Sequence, residues 1–316
     1  MRRASDVSRC VALVLIAAVW AGGTVLAQDR RGDDYRIGVQ VRMVTLDVTV
    51  LNEAGQRVDA LTADDFRVYD DGILQELALF HPADLPISLG LIIDTSGSMR
   101  ERLNLVNEAV LAFLKYSNPD NQVFVVDFVH DQAELLLDFT QDRDDVKDAI
   151  LERMLAGGGT PLWDALYLGM EHIARGTFER KALVVISDGE DKDSHYGFPD
   201  VLAKARNSDV QIYFIALQKR RAETLFDLDD VSRDTAGREM SDLADLSGGR
   251  LFVPEDLQEL DRVTADLATE LRHQYRIGFH PTVAPAQASF RRLEVKLAQP
   301  GTFKIYTRRG YFHPGR

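Results

Sequence analysis

Cysteine is almost missing from this 316-residue chain, and the one present, Cys10, sits in an N-terminal apolar stretch. A disulfide framework is therefore excluded. A basic excess is missing too. Fifty acidic residues stand against 37 lysines and arginines, a formal charge of −13, which excludes nucleic-acid binding through a basic face because neutralising phosphates needs a positive surface. An acidic chain suits cations or basic partners instead. The seven histidines show no metal-ligand spacing, which argues against zinc. Tandem repeats and low-complexity tracts are absent. With 45% hydrophobic and 28% charged residues, the composition is that of a globular protein and excludes a disordered, collagenous or polytopic membrane chain. The length predicts about two domains.

What is present begins with an export signature. Arg2, Arg3 and Arg9 precede the apolar block Cys10–Trp20, and Val25-Leu26-Ala27 offers a small-residue cleavage site before Gln28. Residues 1–27 read as a secretory signal peptide, giving a periplasmic or extracellular protein. A retained anchor is the alternative, since residues 10–27 carry no charge. No twin-arginine consensus follows Arg2-Arg3, and no lipobox precedes Cys10. A mature chain without cysteine would depend on its core, or on a metal, in an oxidising compartment.

Residues 28–37 are polar and aperiodic, a linker, and 38–85 form an N-terminal β segment. Val44, Leu46, Val48 and Val50 alternate as one face of a strand. Phe66–Tyr69 is a second strand, Asp70-Asp71-Gly72 a hairpin turn, and Leu77–Phe80 the expected returning strand. Residues 86–273 change pattern: the apolar runs Ile87–Ile93, Val123–Phe128, Leu183–Ile186 and Val210–Leu217 alternate with helical spacings, with Glu134–Phe139 as a further buried strand. Helices are predicted over 103–116, 144–155, 161–174 (Pro161 in its first turn), 199–207, 239–246 and 257–273. Strands covered on both faces and alternating with helices predict an α/β fold with a doubly wound, mainly parallel sheet. The charged stretch 218–238 reads as a binding loop. Residues 274–316 return to β, with strands at 275–279, 292–297 and 303–306. Phe279, Tyr306, Tyr311 and Phe312 are assigned to their core. Neither β segment can bury much alone, so both are expected to pack as one small β module.

In a doubly wound sheet, ligands bind outside the carboxyl ends of the strands. The strand Ile87–Ile93 ends in Asp94-Thr95-Ser96-Gly97-Ser98, a carboxylate and two hydroxyls on one turn, and Gly97 lets the backbone curl. The strand ending at Ile186 runs into Ser187-Asp188-Gly189, which places Asp188 at the same edge. Gly157-Gly158-Gly159-Thr160 puts a hydroxyl on a glycine loop at a helix start. Hard oxygens of this kind suit Mg²⁺, with Mn²⁺ or Ca²⁺ as alternatives.

These three segments, in this order, resemble the metal-ion-dependent adhesion site (MIDAS) of von Willebrand factor type A (VWA) domains, over about residues 86–273. The resemblance implies that Ser96 and Ser98 coordinate the ion directly, that Thr160 does so when a ligand is engaged, and that Asp94 and Asp188 act mostly through bound waters. It also implies that Gly97, Gly159 and Gly189 border the partner, a protein offering an Asp or Glu carboxylate. The flanking Leu61-Thr62-x-Asp64-Asp65-Phe66 and Tyr69-Asp70-Asp71-Gly72 resemble secreted bacterial proteins in which such a domain has a β companion. The implied function is metal-dependent protein binding of the adhesion type, without catalysis.

Each fragment alone has a plainer reading. Asp94-Thr95-Ser96 could simply cap a helix, and Glu190, Asp191 and Asp193 read as a solvated acidic loop rather than a second cation site. Lys219-Arg220-Arg221 likewise reads as solvated loop. The glycine loop lacks the Gly-Lys-Ser/Thr of a P-loop, and Ser96 and Ser98 lack a nucleophile elbow. A metal-dependent hydrolase with Asp94 as nucleophile is the enzyme alternative, although Ser96 stands where such chemistry needs a second acid. A membrane-anchored scaffold of a periplasmic complex is the other alternative, should residues 10–27 be retained.

Overall fold

A computed structural model describes residues 43–82, 84–129, 132–153, 157–217, 235–283 and 285–315. The expectations for the signal peptide and linker, and for most of the 218–238 stretch with Lys219-Arg220-Arg221, lie outside the described residues.

Strand β1 (Val44–Leu51) buries Val44, Leu46, Val48 and Val50, as its alternation requires. Thr62 and Asp65 then close a single 3-10 turn, the Thr62 N–H donating to Asp65 Oδ2 at 2.7 Å. Strand β2 (Phe66–Asp70) turns back through Asp71-Gly72, with φ of +48° and +80°, the two left-handed residues of a tight hairpin. The returning strand is β3 (Ile73–Gln75), paired Asp70 to Ile73, and not the predicted Leu77–Phe80. A two-residue turn fixes where the return begins, whereas apolar pattern hid it: Ile73 and Leu74 are exposed. Strand β4 (Leu77–Pro82) leaves for a different sheet.

The α/β part follows in order: β5 (Ser88–Ile93), a 3-10 turn Gly97–Arg102, α1 (Leu103–Tyr116), β6 (Gln122–Val129), β7 (Gln132–Thr140), α2 (Arg143–Asp148), α3 (Leu162–Ile173), β8 (Lys181–Ser187), α4 (Phe198–Arg206), β9 (Gln211–Ala216), α5 (Thr235–Ser247), β10 (Leu251–Phe252) and α6 (Leu257–Arg272). The sheet order is β10-β9-β8-β5-β6-β7, and every neighbouring pair is parallel except β6 with β7. Leu89, Leu91 and Ile93 of β5 pack on one face with α1 and α6, and Ile92 packs on the other with α3, α4 and α5. Strand β7 is thus a half-exposed antiparallel edge rather than a third buried strand. The 144–155 prediction resolves into α2 and a π turn over Ala149–Arg153. Pro161 precedes α3 as its N-cap, and α5 begins at Thr235, earlier than predicted.

Four strands close the chain: β11 (Tyr275–Phe279), β12 (Ser289–Leu297), β13 (Lys304–Tyr306) and the unpredicted β14 (Gly310–His313). They interleave with the first four in two sheets, β13-β1-β11-β4 and β14-β12-β2-β3. Val48, Val50, Phe66 and Val68 share one core with Ile277, Phe279, Leu293, Val295 and Tyr311, so the two ends of the chain do build one β module. Two of the four assigned aromatics are exceptions: Phe312 points outward, 47% exposed, opposite Phe290, and Tyr306 is half-buried outside that core, under the Arg250 guanidinium. Residues 41–316 form one compact unit. The seam is polar. Arg180 donates to Asp47 Oδ1, the Leu85 and Leu271 carbonyls and Gln274 Oε1 at 2.6–3.1 Å, and buried Glu270 joins Thr49 to Arg250.

Candidate metal centre

The order in which strands join the sheet reverses between the parallel strands β5 and β8, where doubly wound folds bind ligands. Asp94 follows β5 immediately and is fully buried. Both of its carboxylate oxygens are used: the Ser96 N–H donates to Oδ1 at 2.9 Å and the Ser187 hydroxyl to Oδ2 at 2.6 Å. The Asp94 N–H in turn donates to the Ile186 carbonyl at 2.9 Å, which locks the ends of β5 and β8 together. Burial pushes the Asp94 carboxyl above the usual carboxylate range; the hydrogen bonds from Ser187 and Ser96 oppose this, and the nearby Asp188 charge adds to it. The Ser96 and Ser98 hydroxyl oxygens lie 3.0 Å apart. Thr95 points the other way, its hydroxyl donating to the Phe128 carbonyl at 2.8 Å and so tying the turn to β6.

The glycine loop reaches this turn through the Gly157 N–H, which donates to the Thr95 carbonyl at 3.0 Å. A methyl group on Gly97 would stand 4.0 Å from the Gly158 carbonyl oxygen. Thr160 is buried. Its N–H donates to Asp193 Oδ2 at 2.9 Å and its carbonyl accepts from the Lys192 N–H at 3.2 Å, which join it to the segment after Asp188. Asp188 is half-buried. All three sequence segments therefore meet at one sheet edge, with Asp94, Ser96, Ser98, Thr160 and Asp188 on them.

The glycines divide. Gly97 is exposed and Gly159 half-buried, but Gly189 is buried. With φ at +82° and Met240 Cε 2.7 Å from where a Cβ would stand, Gly189 turns the chain and cannot border a partner. Asp193 is exposed and Asp191 half-buried, in keeping with a solvated loop, and each also accepts a backbone N–H group. Ser187, Asp191, Asp193 and Ser194 are the residues the sequence reading missed. Ser187 stood inside the Ser-Asp-Gly motif; the other three carried no signal, because their partners lie about 30 positions earlier.

The donor set fits a hard divalent cation. The Ser96 and Ser98 hydroxyls are hydrogen-bonded to each other at 3.0 Å, a spacing that neighbouring oxygens on an octahedral Mg²⁺, with bonds of about 2.1 Å, also adopt. Among the described residues no three His, Cys, Asp or Glu side chains gather as a metal cluster; this centre draws on hydroxyls instead.

An uncharacterized protein of Synechocystis sp., sll0103, is 32% identical over 115 residues, 35% of this chain. This alignment spans 27% of that protein's length. The solved von Willebrand factor type A protein from Catenulispora acidiphila superposes with a TM-score of 0.50 at 11% identity, covering 86% of this chain and 73% of that one. The vWF domain of the type V pili tip protein Mfa5 from Porphyromonas gingivalis gives a TM-score of 0.47 at 12% identity, over 60% and 96%. Residues 89–190, a span holding all five site positions, match the family model of the von Willebrand factor type A domain. That span, which runs from β5 to just beyond β8, thus matches a von Willebrand factor type A domain.

Proposed function

We propose that Asp94, Ser96, Ser98, Thr160 and Asp188 hold a divalent cation, Mg²⁺ before Mn²⁺ or Ca²⁺, and that the protein is an exported binding module which captures an acidic side chain of a protein partner there. The observation that carries this reading is the 3.0 Å separation of the Ser96 and Ser98 hydroxyls on the turn after β5. In this reading Ser96, Ser98 and Thr160 offer neutral oxygens, and Asp94 and Asp188 balance charge from behind. A bound cation of this kind supplies an open coordination position to a carboxylate, a strong and directional bond where water is excluded. Gly97 and Gly158 are exposed beside the serines, so that a partner's backbone can come close. Domains of this family mediate protein–protein contacts, and nothing is turned over chemically. The state of Asp94 supports that view: a fully buried carboxylate with both oxygens taken is not presented as a nucleophile.

Export rests on residues 1–27. The charge-free stretch 10–27 supports a second version, an anchored scaffold, in which the protein stays with membranes after a salt wash.

Calorimetric titration of Mg²⁺ tests the centre. We expect saturable one-site binding by the wild type and none by the Asp94→Ala/Asp188→Ala variant, whose circular dichroism stays native. A wild type that binds neither Mg²⁺ nor Mn²⁺ would overturn the reading.

A further inference from the structure

Helix α3 starts without a cap of its own. Pro161 stands at the N-cap and supplies no side-chain acceptor, although the first N–H groups of a helix need one. The acceptors come from the segment beyond Asp188. The Trp163 N–H donates to Ser194 Oγ at 3.0 Å and to Asp191 Oδ1 at 3.3 Å, and the Asp164 N–H donates to Ser194 Oγ at 3.2 Å. The Ser194 hydroxyl itself donates to Asp191 Oδ1 at 2.5 Å. The pairing is reciprocal: the Asp164 carboxylate accepts the His195 and Tyr196 N–H groups at 2.9 and 2.8 Å. The Tyr196 ring lies flat on Tyr167, 3.8 Å between centroids. Residues 190–196 are thus a strap fastened along the first turns of α3, and it also holds Thr160 through both its N–H and its carbonyl.

We propose, on the reading of the metal centre given above, that Asp193 is a positioning residue for the cation. By holding the Thr160 N–H, its carboxylate fastens the Thr160 turn to the strap that leaves Asp188, so that the two segments meet the ion as one preassembled unit before any partner arrives. Asp191 and Ser194 secure the same strap through α3. Partners of this kind around a metal site orient the residues that bind the ion, and losing one commonly weakens metal affinity about tenfold or more. A solvated acidic loop would contribute only diffuse charge, which the amide variant removes without removing the acceptor.

The test is calorimetric titration of the full chain with Mg²⁺ alone. Thr160→Ala and Asp193→Ala should each weaken binding about tenfold. Asp193→Asn should stay near the wild type, because its amide oxygen still accepts the Thr160 N–H. The double variant Thr160→Ala/Asp193→Ala should bind no more weakly than Thr160→Ala, since Asp193 holds the Thr160 backbone N–H and has no hydroxyl left to position once Thr160 is alanine. Four outcomes would each overturn the positioning role while leaving the metal centre standing: wild-type affinity in Thr160→Ala, wild-type affinity in Asp193→Ala, equal losses in Asp193→Asn and Asp193→Ala, or fully additive losses. A wild type that binds no Mg²⁺ removes the metal centre and this role with it. If Asp193→Ala does not fold, Asp191→Ala replaces it in the same cycle, with non-additivity again expected.

Discussion

Asp94 follows β5 and Asp127 lies on the adjacent β6, and their surroundings differ sharply. Asp94 has donors on both oxygens, whereas Asp127, on β6 opposite Ile93, is fully buried with no hydrogen-bond partner for either oxygen among the described residues. Burial, with Glu134 on β7 adding repulsion, pushes its pKa up to about 6 from an ordinary 3.8. Between those two values the folded chain holds a proton that the unfolded chain has released. Its contribution of about 3 kcal/mol is therefore fully present below about 3.8 and lost as pH rises through about 6. Urea unfolding of the wild type and Asp127→Asn should show it: the variant gains stability over the wild type by roughly that amount on going from pH 4 to pH 7. A constant difference across the range would rule out a buried, titrating Asp127. The site residues were legible because motif and position coincide: Asp94, Ser96, Ser98, Thr160 and Asp188 all follow strand ends or open a helix. Asp127 was invisible, since a carboxylate within an apolar strand tells nothing of its donors.

At the scale of elements, continuous apolar runs located the strands that the helices cover on both faces, and the helical spacing of Leu103–Tyr116 was read with both its ends correct. Where elements were misread, short-range pattern was weak or misleading. Strand β3 exposes its two apolar residues, β7 is an edge, and Gly310–His313 alternates too briefly to register. Close packing of the sheet shows at Gly90 on β5, where an added methyl would drive into the Phe124 ring and Leu183. Gly90→Ala should lower unfolding free energy by about 1–3 kcal/mol through overpacking, while Gly97→Ala, whose added methyl meets only the Gly158 carbonyl at 4.0 Å, should leave it nearly unchanged. Equal urea midpoints for Gly90→Ala and the wild type would contradict that packing.

For the molecule as a whole, the β module exists only because both ends of the chain contribute. Strand β1 lies between β13 and β11, and β2 lies between β12 and β3. A chain ending at His273 keeps β1 with neither neighbour, and β2 with only a three-residue hairpin partner, too little to stand in water. Hydrogen exchange should then show the amides of β1 and β2 unprotected; retained protection there would mean that the N-terminal segment folds without its partner. The module is also fastened to the α/β sheet. Arg180, almost fully buried, binds β1, the C-terminal end of α6 and the entry into β5 in one fan of hydrogen bonds, an arrangement that is costly to break because the buried guanidinium would be left without its acceptors.

The sequence by itself determined the α/β class, the alternation that makes both β segments one-sided, and the five oxygen-bearing residues proposed here to hold a cation. Those features depend on periodicity and on what precedes and follows a strand, which are local properties of a chain. Only the tertiary structure decided that Gly189 is buried, that Phe312 faces outward, that Asp127 has no donor among the described residues and that Asp193 holds the Thr160 N–H. Each of these depends on which residues, tens to hundreds of positions apart, are brought within hydrogen-bond or van der Waals reach, and no local pattern encodes that distance.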